Sequence, residues 1–308
     1  MWETLQSSLV YLLVLALGYG AKRAGLFKKE SAGFLSVLIM DITLPCAILN
    51  TIGGSPFHWS LLLITACAVV LNCLLLAAAV LTSAKQPAGE RILSILNSNT
   101  FNNGNFAIPF LSGMVSAEGF SAMCMYDMGS AIMTFGPNLA LVQKVLARPG
   151  ASTGPVQVAK RLLITPTFVA YLVMLGMNAL GWNFPPLVDG VVSMGAAANP
   201  FLAMLCVGIL FELRLPRSGG RLIARCLALR YGICTLFALG LWMFLPADPQ
   251  VVRTLVVMTF APIASCAVML TVDSGGDGSM AAVLNSLSMV ISIAVMLVLL
   301  VLLPLPVR

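Results

Sequence analysis

The sequence predicts an all-α polytopic membrane protein with ten transmembrane helices arranged as two inverted five-helix repeats. Three observations lead there. Of 308 residues, 59% are hydrophobic and 9% charged, with a mean hydropathy of +0.99, whereas a soluble domain is about a quarter charged. Ten windows of about 20 apolar residues, the length that crosses a hydrocarbon core, follow one another along the chain. Glycines and prolines that interrupt or close these windows recur at offsets near half the chain length.

The windows fall at about 5–21, 33–51, 60–82, 92–114, 120–143, 160–180, 187–210, 221–245, 251–271 and 279–303. Span one is followed, not preceded, by Lys22 and Arg23, the reverse of a secretory signal, and reads as a retained helix. Span two contains Asp41 and the Leu-Pro at Pro45, span four contains "TFNNGNFAIPF", and span five contains Asp127 and Asn138. The connection "LARPGASTGPVQVAK" is the one Gly/Pro/Ser-rich polar stretch. It divides the chain into a first repeat, 1–146, a cytoplasmic linker, 147–159, and a second repeat, 160–308. Span seven contains Asn199 and Pro200, and span nine contains Pro262.

Charge sets the orientation. Fourteen lysines and arginines, from Lys22 to Arg225, lie in the odd-numbered connections, against Arg253 and Arg308 on the other side. Positive loops stay in the cytoplasm, so both termini are expected outside a plasma (bacterial inner) membrane. A pI near 9.0 then describes a basic face over anionic lipid, and nucleic acid is not an expected partner.

Pro45 and Pro200 stand 155 residues apart, Pro109 and Pro262 stand 153, and Gly25 and Gly181, closing the first span of each half, stand 156. These offsets argue for a duplication. Each half has five helices, so the second copy enters from the opposite side, as in secondary transporters whose two facing states are related by symmetry. Proline removes a backbone donor and clashes with the preceding turn, and at roughly 1.5 Å per residue both Pro109 and Pro262 fall near mid-membrane. Unwound backbone there survives only against protein or a water-filled cavity. The half-helix beyond each break starts with free N–H groups and a positive dipole end, a setting for a carboxylate. Asn102, Asn103 and Asn105 add side chains that both donate and accept.

Other polar residues in the spans are site candidates by default, because a charge at the bilayer centre costs at least roughly 2.5–3.5 kcal/mol. These are Asp41, Asp127, Asn138 and Asn199, any of which could line the site; the two acids could take part in proton or sodium coupling. No lysine or arginine stands deep enough in the predicted spans to be an obvious ion partner for either acid. His58, the single histidine, lies in a short outer loop, and eight cysteines without CxxC spacing read as packing residues. No metal site, cofactor or catalytic residue is expected, and no phosphate-binding glycine loop points to ATP.

Four stretches together resemble the auxin efflux carrier family, which includes bacterial malate and malonate permeases and the plant auxin-efflux carriers. They are "LGYGAKRAGLFKKESAGFLSVLIMDITLPCAIL", "NNGNFAIP", "NPFLAMLCVGILFE" and "APIASCAVMLTVDSGG". The resemblance implies that helices four and nine are broken and cross at their prolines, with the substrate carboxylate at the crossing. It carries over to Asn102, Pro109 and Pro262, with flanking Asn103, Asn105, Ala264 and Ser265. It further implies a core of helices three to five and eight to ten moving against a scaffold of one, two, six and seven. Ala107 occupies the family's usual Gly, Asn105 a usually apolar place, and Asp41 a place often held by Asn.

The expected function is therefore secondary transport of a small organic anion, with a lipid bilayer and a second copy of the chain, as a homodimer, as partners and no enzymatic activity. Two other classes compete. A transporter-like membrane sensor would need an output domain, and no soluble domain is visible. An intramembrane aspartyl protease would need Tyr-Asp and Gly-x-Gly-Asp in two spans. Tyr126 and Asp127 supply the first, but "SGGD" puts Ser274 where a Gly is needed and Asp277 in a loop.

Overall fold

A computed structural model describes residues 2–51, 60–146, 155–211 and 219–303, and no strand occurs among them. The first half contains α1 (Trp2–Arg23), α2 (Lys29–Leu38), α3 (Leu44–Leu49), α4 (Ser60–Ser83), α5 (Ala88–Ser98), α6 (Ile108–Leu111), α7 (Ala117–Met133) and α8 (Leu139–Val145). The second contains α9 (Pro155–Ile164), α10 (Pro166–Leu180), α11 (Pro186–Leu210), α12 (Gly220–Phe244), α13 (Pro249–Met258), α14 (Cys266–Asp273) and α15 (Gly278–Leu302). Wide π turns, Ile39–Thr43, Asn103–Ala107 and Thr134–Asn138, join α2 to α3, lead into α6, and join α7 to α8.

Five helical stretches are long and apolar enough to cross a bilayer: Ser31–Leu49, Leu61–Ser83, Pro186–Leu210, Gly220–Phe244 and Gly278–Leu302. The bent pair Val156–Ile164 and Pro166–Leu180 makes a sixth. Large apolar side chains such as Leu13, Phe34, Leu81, Met194 and Phe244 lie on the outside, a surface that suits lipid. This is a multi-pass membrane protein.

Two expected spans are not the single rods that periodicity predicts. The window 160–180 bends by 91° between α9 and α10. Pro166 drives Thr165 out of the helical region, to φ −82° and ψ 113°, because its ring crowds the residue before it. α9 also begins at Pro155, so the end of the expected linker is helical; residues 147–154, like His58, lie outside the described residues. The window 120–143 is widened by the π turn that holds Pro137.

Helix ends follow local chemistry. Gly25 and Gly181 adopt φ of 77° and 66°, a left-handed conformation that costs glycine little. At each, the next residue's N–H reaches back to close the helix, Leu26 to the Ala21 carbonyl at 3.0 Å and Trp182 to Met177 at 2.9 Å. Asp248 and Asp277 cap α13 and α15 by accepting from the N–H groups of Gln250 and of Ser279 and Met280.

The helices pack as two groups. α1, α2, α3 and α10 gather directly or through one another around α11, while α4, α5, α7, α12, α13, α14 and α15 pack among themselves. The first group is held at backbone distance. A Cβ on Gly18 of α1 would strike the Leu205 carbonyl of α11, and one on Gly208 of α11 would strike the Leu15 carbonyl of α1. Small residues allow such approach where lipid supplies no hydrophobic drive between helices. Gly18→Leu and Gly208→Leu should each destabilise the detergent-solubilised protein by about 2 kcal/mol or more through overpacking. Gly232→Leu, whose Cβ meets open space, should leave the thermal unfolding midpoint unchanged.

Candidate functional site

α5 stops at Ser98, and the chain runs irregularly through Asn102 before the π turn; α13 stops at Met258, and the chain runs irregularly to Ser265 before α14. The two irregular stretches meet. The Asn102 N–H donates to the Pro262 carbonyl at 2.8 Å, and one helix back Asn97 Nδ2 donates to Thr271 Oγ1 at 3.1 Å, tying α5 to α14. In the π turn the N–H groups of Ala107 and Ile108 reach five residues back, to the carbonyls of Asn102 and Asn103. Gly104 lets the turn lie against α3, because a Cβ there would stand 2.9 Å from Leu44 Cδ2.

The remaining backbone groups are met by neighbouring helices, as a dry interior demands. Arg230, in the middle of α12 and 1% exposed, donates through Nη1 to the carbonyls of Ser98 and Thr100, both at 2.9 Å, and through Nη2 to Ala261 at 2.8 Å. Its guanidinium lies 4.1 Å from the Phe101 ring centre, a cation–π contact. From α15, Asn285 Nδ2 donates to the Ile263 carbonyl at 2.8 Å, and Ser288 Oγ accepts from the Ile263 N–H at 3.0 Å.

A cavity of about 210 Å³ lies where this crossing faces the other helix group. Its walls include Phe101, Asn102, Gly104 and Asn105 from one break, Ala264, Ser265 and Cys266 from the other, and Asp127 and Ser130 from α7. Met40, Leu162, Thr165, Thr167, Phe168 and Tyr171 close it from the first π turn, α9, the α9–α10 corner and α10. Asp127 Oδ2 accepts from the Tyr171 hydroxyl at 2.6 Å. The Asn103 side chain stands beside Asp127. Asn102 Nδ2, both amide atoms of Asn103 and Asn105 Oδ1 are buried without a protein partner, and such groups are rare unless a ligand or water meets them. A groove of about 760 Å³ between α4 and α12 is larger, but apart from Cys67 its lining side chains are hydrocarbon or aromatic and offer nothing to orient a polar ligand.

The chain matches the family model described as membrane transport protein over residues 5–300. It belongs to that family, the auxin efflux carriers. An uncharacterized transporter from Methanothermobacter thermautotrophicus is 24% identical over 281 residues, covering 89% of each chain. Members of this transporter family are not enzymes.

For this family member the sequence candidates divide by position. Asn102, Asn105, Ala264, Ser265 and Asp127 line the cavity, Asn103 sits behind it, and Pro109 and Pro262 lie in the main chain that shapes it. Three lie elsewhere. Asp41 is exposed in its π turn. Asn138 pairs reciprocally with Asn99, at 2.7 and 3.0 Å. Asn199 accepts from Thr43 at 3.0 Å, joining α11 to the end of the first π turn. The α-helix that holds Pro109, α6, has four residues, too few to carry the expected macrodipole, whereas α14 has eight.

Arg230, Phe101, Tyr171, Asn285 and Ser288 were not site candidates in the sequence, and Arg230 corrects the expectation that no arginine stands deep in the spans, although it bonds to main-chain carbonyls and to neither acid. Arg230→Met should cost about 3 kcal/mol or more, because three buried carbonyls lose their donors at roughly 1–3 kcal/mol each. Thermal unfolding in detergent measures it, and Arg230→Lys should recover only part, since an ammonium cannot reproduce the guanidinium fork.

Proposed function

We propose that this transporter carries a small organic anion, a carboxylate, by alternating access of the cavity between the two breaks. The observation that carries the reading is the pair of buried amide atoms without protein partners at the cavity wall, Asn102 Nδ2 and Asn105 Oδ1. A carboxylate oxygen can accept from Asn102 Nδ2, Asn105 Oδ1 can accept from a hydroxyl or water beside it, and α14 adds its N-terminal N–H groups. A volume near 210 Å³ is below the roughly 300–1,000 Å³ typical for drug-sized ligands, which favours a substrate of few atoms.

The proposed architecture has ten spans in two inverted five-helix repeats, with spans four and nine crossing at Asn102 and Pro262. Support comes from the matched left-handed ends at Gly25 and Gly181 and from the Asn102 to Pro262 bond. In this reading α4, α5, α7 and α12–α15 move as a core against α1–α3, α10 and α11. The cavity lies on the boundary between these groups, and a rigid backbone seam at Gly18 and Gly208 suits a scaffold. Both termini face outward across the plasma membrane, from the distribution of lysine and arginine.

A thermal-shift panel of mono- and dicarboxylates on the purified protein tests the substrate class. The expected result is stabilisation by at least one carboxylate, with affinity about tenfold weaker in Asn102→Ala, the loss of one charge-assisted hydrogen bond. Stabilisation that survives this change unaltered would place the pocket elsewhere. Pro109→Ala combined with Pro262→Ala should insert normally yet lower uptake into proteoliposomes at least about tenfold, by letting the interrupted turns heal; full uptake would count against the crossing.

A further inference from the structure

The cavity brings an acid into the space proposed for an anion and brings no cation with it. Asp127 is in its wall, and among the described residues no lysine, arginine or histidine is. Arg230 faces away, its Nη atoms engaged by the carbonyls of Ser98, Thr100 and Ala261 behind the ring of Phe101. The titratable groups that face Asp127 are Cys124 on its own helix, Tyr171 on α10 and Cys266 on α14. α9 presents Leu162 to the cavity, the α9–α10 corner presents Thr165, and the second π turn places Asn103 beside the acid; Thr259, just past the end of α13, meets Tyr126 of α7. None of these supplies a positive charge. Two carboxylates confined to so small a site cannot both be ionised without a cation between them.

We infer that Asp127 carries a proton in the substrate-bound state, so that one proton crosses the membrane with each anion. This rests on the anion reading above. The carboxylate takes the proton from water on the side to which the cavity is open, forming an O–H bond at Asp127; that bond breaks when the proton returns to water on the opposite side. Tyr171 supplies the second half of the device. Its hydroxyl donates to Asp127 Oδ2 at 2.6 Å across the boundary between the two helix groups, and a hydrogen bond to an ionised acid is roughly twice as strong as one to a neutral acid. Ionised Asp127 therefore holds the empty boundary together. Protonation admits the anion and weakens the bond that the moving group must break.

The probe is malonate, together with any carboxylate that stabilises the protein in the thermal-shift panel. Purified full-length protein is reconstituted in liposomes holding a trapped pH dye, with protein-free liposomes as the background. Labelled anion uptake should acidify the lumen in step. In detergent, apparent affinity should fall about tenfold per pH unit above the pH at which the acid of the empty protein ionises, the linkage expected for one bound proton. Asp127→Asn should abolish both the acidification and the pH slope, and Asp127→Glu should restore the slope. Anion uptake without acidification, or a slope that persists in Asp127→Asn, overturns the inference. If the variants do not fold, the wild-type acidification and slope decide alone. Absence of binding by every carboxylate at every pH removes the anion reading itself, whereas anion uptake without acidification leaves that reading standing and removes the proton.

Discussion

Between Ser98 and Ile263 two stretches of peptide leave the helix inside an apolar protein, and one side chain takes up three of their carbonyls. Arg230 reaches Ser98 and Thr100 on one stretch and Ala261 on the other, so a single guanidinium holds both interruptions in register. Without it, each stretch would need separate partners in a region where water cannot serve. The direct bond from Asn102 to Pro262 and the two contacts from α15 to Ile263 complete the accounting. At the cavity wall they leave Asn102 Nδ2 and Asn105 Oδ1 unmet, and Arg230 Nε is also without a partner.

That division between satisfied main chain and unsatisfied side chain has a physical logic. Peptide groups fix the shape and cannot be spared, so they are bonded within the protein. Side-chain amides can be rebonded by a substrate without disturbing the fold, and they are the groups left available. The wall across from them, from Met40 to Tyr171, belongs to the other helix group. A ligand in this cavity therefore touches both groups at once, and its presence bears directly on how they fit together.

Much of this was legible in the residues. Long apolar windows fixed α4, α11, α12 and α15 to within a residue or two, and Pro109, Pro262, Gly25 and Gly181 marked interruptions or ends that depend on local backbone chemistry. Arg230 was not legible. It stands amid apolar residues in "ALRYGICTL", and its partners lie 132 and 130 positions earlier and 31 positions later in the chain, so only the folded arrangement explains how the membrane interior tolerates its charge. The same holds for Asn138, whose partner Asn99 lies in the irregular stretch just past α5, and for Tyr171, which looks like an ordinary aromatic until it meets Asp127. Asp41 is exposed for a reason of the opposite kind: one turn before a proline says nothing about which way a π turn rotates its side chains. The corner at Thr165 was hidden because an apolar window reports length and not direction.

The seam at Gly18 and Gly208 sets how force passes through the molecule. Two helices that touch through peptide atoms have no rotamers between them to yield, so a push at one end of α1 arrives at α11 undiminished. Compliance must then reside where side chains intervene, along the wall that Tyr171 shares with Asp127. The stiff joint thereby determines which joint is soft.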